Sequence, residues 1–159
     1  MTEQEKRIKA VKHVVNDYTN LVSSGTLIKT HHEAPINTHV QYSFLVECRK
    51  FSGFFSNSGK PHPEDILAKH FLQKKVRFKF PAWKKWEDHM NAHLFHLSYQ
   101  RVKNTRAWTG FTANQEFLEE FKTAWKQFLE KLEEPYKPEF EAHIVERSTK
   151  PEYKGLDLR

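Results

Sequence analysis

Apolar residues in this chain recur mainly every three or four positions, the spacing that gathers them on one face of a helix. Ile8, Val11, Val14, Val15, Tyr18, Leu21 and Val22 do so first, and Ser23-Ser24-Gly25 reads as the stop of a helix over 3–23. Pro35 suits the first turn of a second helix. Its stripe is Ile36, Val40, Phe44, Cys48, Phe51 and Phe55, and it ends in the loop Asn57-Ser58-Gly59-Lys60-Pro61. Glu64 and Asp65 then open a short helix over 66–72, where acids suit the positive end.

Residues 75–80 follow a different rule. Lys75-Val76-Arg77-Phe78-Lys79-Phe80 alternates charge with apolar groups at a period of two, as strands do. No second strong strand exists to pair with it, so the pattern predicts an extended connector pinning Val76, Phe78 and Phe80 against helices. Pro81 then begins a helix reaching 103, with Trp83, Trp86, Met90, Leu94 and Leu97 along one face. Thr112 and Gln115 form a capping box ahead of Phe117, Leu118, Phe121, Trp125, Phe128, Leu129 and Leu132, which make the cleanest amphipathic helix in the chain. Pro135 and Pro138 break it, and 139–147 makes a last short helix. The sum is an all-α fold, four main helices plus a short one in an up-down bundle. It forms one domain over 1–148 with a tail over 149–159.

Composition narrows this further. At 159 residues the chain is about one domain, and thirteen Phe with four Trp mean a core built from rings. A mean hydropathy of −0.79 makes the surface strongly polar. A single cysteine, Cys48, excludes an internal disulfide and fits a reducing compartment. No run is long and apolar enough for a signal peptide or a membrane span, so a cytoplasmic protein is expected. The net charge of +6 is uneven. Lys74, Lys75, Arg77, Lys79, Lys84 and Lys85 form a band with no acid between them, whereas 116–134 holds six Glu against three Lys. Such a band can attract a nucleic-acid backbone, but the plainer and favoured reading is a solvated face beside an acidic helix of the same or another subunit.

Candidate chemistry gathers on the helix after Pro81. His89, His93 and His96 lie at i, i+4, i+7, and two imidazoles at i, i+4 can chelate one ion, with His39 a further ligand. No Glu-x-x-His repeat on a facing helix supports a di-iron site. Arg101 falls back on the apolar side, where it needs a partner, and Glu47 projects within the stripe of the second helix. These two are natural partners. Glu47, Arg49 and Ser98, with Asn91, His96 and Arg101, read as a polar network fixing helix register. Cys48 lies within a stripe and reads as core. No Gly-x-Ser-x-Gly or phosphate-cradling glycine loop is present, which argues against those hydrolase and nucleotide-binding classes. No cofactor is expected.

The run Met90-Asn91-Ala92-His93-Leu94-Phe95-His96-Leu97-Ser98-Tyr99-Gln100-Arg101 resembles a motif of bacterial HEPN-like helical bundles. Two earlier segments match in the same order. They are Val46-Glu47-Cys48-Arg49-Lys50-Phe51-Ser52-Gly53-Phe54-Phe55 and Pro63-Glu64-Asp65-Ile66-Leu67-Ala68-Lys69-His70-Phe71-Leu72, so the resemblance covers about 35–105. It implies a bundle paired with a second copy as a homodimer, with an RNA or protein partner. Active members cut RNA without metal, using an Arg, four to six residues, then a His in acid–base work. That implies His96, with Arg101 and Asn91 nearby as candidate catalytic groups. The sequence departs from the motif: the Arg would fall at His89, Met90 or Asn91, and Arg101 follows His96. The expectation is therefore a binding or regulatory module, with a metal-independent endoribonuclease as the alternative. The chain also resembles DinB-like metal-binding bundles, which implies His39, His89 and His93 as ligands.

Overall fold

The computed structural model describes residues 1–28, 36–56, 62, 64–90 and 111–159, with the backbone alone at 36–38, 89 and 111–113. Among the described residues it contains five α-helices and no paired strands. They are α1 (Glu3–Leu27), α2 (Ile36–Phe55), α3 (Pro81–Met90), α4 (Phe111–Glu130) and α5 (Lys137–Ser148). The all-α bundle expected from the periodicity is borne out, and the core is built from rings.

α4 is its spine. Phe117, Leu118, Phe121, Trp125 and Phe128 are all 0% exposed, and between them they meet each of the other four helices. Tyr18 of α1 stacks on Trp125 with ring centroids 4.1 Å apart. Phe54 of α2 meets Phe128 edge-on at 5.4 Å, and Phe140 of α5 meets it at 5.2 Å. Trp83 of α3 packs edge-on against Phe117 at 5.4 Å. Burying one such ring is worth about 1.5–3 kcal/mol, and offset or edge-on pairs add roughly 0.5–1.5 each.

Several element boundaries differ from the sequence reading. α1 runs to Leu27, past the expected stop at Ser23-Ser24-Gly25. The Ser24 hydroxyl donates to the Asn20 carbonyl at 2.7 Å, so it bonds within the helix and does not interrupt it. In place of a helix over 66–72 there is one 3-10 turn, Ala68–His70. The backbone beyond it is taken elsewhere: the Glu133 N–H donates to the Phe71 carbonyl at 2.9 Å, and Leu72 bridges Leu132. α4 begins at Phe111, one residue before the Thr112 read as its cap. Residues 149–159, read as a tail, contain the turn Pro151–Tyr153 and a buried Leu158, whose carbonyl accepts from Trp125 Nε1 at 3.0 Å.

At Gly25, α1 is tightly packed against α2 and α4. A Cβ there would lie 2.8 Å from Phe44 Cε2 and 3.0 Å from Leu118 Cδ1, both on buried side chains that cannot swing away. Gly53, exposed within α2, has nothing within 4 Å of the same position. The two glycines should therefore respond oppositely to one change. Gly25→Ala is expected to destabilise by about 1–3 kcal/mol through overpacking, and Gly53→Ala to stabilise by roughly 0.5–1 through helix propensity. Urea titration of both variants checks this, and stabilisation by both would refute the close approach.

Candidate functional site

The connector over 75–80 takes the form its pattern predicts. Phe80 is buried, Val76 and Phe78 pack on the core, and Lys75, Arg77 and Lys79 are exposed. Phe78 and Phe80 both reach Phe55 of α2, with centroids 4.5 and 5.7 Å away, and Phe80 stacks on Phe121 of α4 at 4.7 Å. Inward rings at every second residue force the intervening cations outward. Lys74, Lys84 and Lys85 are exposed as well, so all six cations of the band lie at the surface. Lys84 pairs with Glu87; for the other five, the described residues show no ion pair.

The strap ends where α3 begins. Pro81 occupies the first turn, where its missing N–H costs nothing, but Phe80 before it has no side-chain acceptor for the next amides. The acceptor comes from α4. Glu120 takes the Ala82 N–H on one carboxylate oxygen at 2.7 Å and the Trp83 N–H on the other at 3.0 Å. A carboxylate is favoured at this positive helix end. Nothing local in sequence announces Glu120; the available signal was the uncapped Pro81, which required an acceptor from elsewhere. Glu87 is a second such tie, receiving Ser52 Oγ and Trp83 Nε1, each at 3.4 Å, and so joining α2 to α3.

Between strap and α4 runs a groove of about 690 Å³. Arg77 and Lys79 form one wall, Glu116 and Glu119 stand on the other, and Ala82 and Ala124 lie among its apolar lining. The band thus lies beside the acidic helix of its own chain.

The other sequence candidates disperse. His96, Arg101, Asn91, Ser98 and His93 lie outside the described residues, as does the side chain of His89. His39 and Arg49 are exposed on α2. Among the described residues no group of three or more His, Cys, Asp or Glu could hold a metal ion. Cys48 is fully buried, and desolvation pushes its thiol pKa well up, which removes the thiolate that nucleophilic work needs.

Glu47 is buried as expected. Its described partner is Lys50, with Nζ 3.0 Å from one carboxylate oxygen. The expected pairing with Arg101 falls outside the described residues. The other oxygen, Oε2, is buried and has no hydrogen bond among the described residues. Loss of hydration raises the Glu47 pKa, and the Lys50 ammonium offsets this only in part. The half-exposed Lys50 responds differently. Its own partial burial works against its charge, but Glu47 and Asp17 outweigh that and hold its pKa above the usual value.

No protein-family model, no curated protein and no solved structure matches the chain.

Two outcomes follow from these contacts. Glu120→Ala strands two amides at the start of α3 and is expected to cost about 1–2 kcal/mol, with Glu120→Gln costing less. Equal loss in both variants by urea denaturation would deny the carboxylate its capping role. Glu47 binds a proton more readily folded than unfolded. Its contribution is therefore full below the unfolded pKa and is lost as pH rises through the folded one. Glu47→Gln should gain on wild type as pH climbs from the ordinary carboxyl range toward neutral. Thermal melts across that range measure the gap, and a gap that narrows with rising pH would contradict the shift.

Proposed function

We propose that this chain is a binding module whose working surface is the cationic strap, and that it docks an anionic partner there. The observation carrying the reading is the inward fixing of Val76, Phe78 and Phe80, which holds Lys75, Arg77 and Lys79 outward in a row. Surface lysines normally lose side-chain freedom and solvation when they bind. A backbone already ordered by its rings removes part of the ordering cost of docking. Five cations without a described acidic partner also leave a local positive potential that the groove's acids bound on one side only. The HEPN-like resemblance of 35–105 points the same way, toward a partner-binding bundle, but the reading stands on the strap and needs no catalytic residue.

Heparin tests the charge without presupposing the partner. Replacing Lys75, Arg77 and Lys79 together by Gln should lower the salt at which the protein elutes from a heparin column. It should also reduce the log–log salt slope of binding by about 2–3. A control replaces Lys9, Lys131 and Lys154, three exposed lysines elsewhere, and removes the same charge. It should elute nearly as wild type does. Equal shifts in the two triples would mean that net charge, and not the strap, does the binding.

A further inference from the structure

The strap offers more than charge. In an extended chain, alternate residues share a side-chain face and also aim their N–H and C=O groups toward one edge. For the strap that edge belongs to Lys75, Arg77 and Lys79. Among the described residues, no backbone–backbone hydrogen bond joins any of the three to another segment. Backbone bonds among the described residues flank the three at Phe71 and Leu72 on one side and, on the other, at Phe80, whose carbonyl accepts the Lys84 N–H at 2.9 Å. An unpaired edge of this kind is a template for one more strand.

Building on the reading above, we propose that the Lys75–Arg77–Lys79 edge accepts an extended segment of a protein partner as an added strand, carrying acidic residues at alternate positions. Two observations select this occupant. The exposed face presents a cation at every second residue, and opposite charges directly across a strand pair attract while like charges repel. A segment with acids at the same period meets all three, whereas its intervening side chains turn toward the strap's apolar side. In addition, Phe78, Phe80 and Trp83 are committed to the core, so the strap has no ring of its own free for base stacking.

Capped heptapeptides and the full-length chain separate this from charge alone, by fluorescence anisotropy. One peptide alternates Thr and Glu, and its isomer has the same composition with the glutamates in one block. The alternating peptide should bind about tenfold more tightly, the product of two or three cross-strand pairs. N-methylation of its backbone at the Glu positions and at the Thr positions should have unequal effects, one set abolishing binding and the other sparing it. Equal binding of the two isomers, or equal loss on both methylations, overturns the added strand. So does oligouridylate binding more tightly than the alternating peptide. In those cases the heparin comparison still decides independently whether the strap is the anion-binding surface. Absence of peptide binding while the strap triple still alters heparin elution likewise rejects the strand and retains the surface. If the strap triple and the control triple shift heparin elution alike, the surface itself falls.

Discussion

One column of rings along α4 sets the position of nearly everything else. Phe117, Phe121, Trp125 and Phe128 recur at helical spacing, and from them α1, α2, α3, α5 and the strap each take a stacked or edge-on contact. Because ring pairs favour particular geometries, a core of this kind specifies orientation as well as burial. Aliphatic side chains in the same volume would bury similar area with less directional preference. Several of the described polar ties sit at element ends. Thr2 and Glu5 form a reciprocal cap on α1, Glu120 caps α3, and the Leu158 carbonyl receives the Trp125 indole.

What the sequence disclosed follows from how far apart the interacting residues lie. The helices were legible because their apolar period is local, and the strap was legible because a period of two is equally local. Gly25 was misread as a stop because its use, admitting Phe44 and Leu118 to within contact of α1, depends on residues far along the chain. Glu120 was hidden for the same reason: its amide partners lie 37 and 38 residues away. Leu158 gave little signal, since Leu156 and Leu158 are two apolar residues in a polar stretch too short to establish a period. Glu47 was correctly placed inside, but its described partner proved to be Lys50, one turn along its own helix.

The strap's geometry rests on its rings and not on tension. It runs antiparallel to α4, with Leu72 beside Leu132 at one end and Ala82 bonded to Glu120 at the other. Glu120 and Leu132, the latter just past the end of α4, are roughly 18 Å apart at the helical rise per residue, whereas ten extended residues can reach about 33 Å. The chain between them therefore has slack, absorbed in the bends at Gln73 and Lys74. A slack segment keeps a fixed face outward only if its side chains are held. Phe78 against Phe55 and Phe80 against Phe121 do that. The strap's outer face is thus a product of the core: the same aromatic contacts that stabilise the bundle also decide that lysine and arginine, and not phenylalanine, point outward.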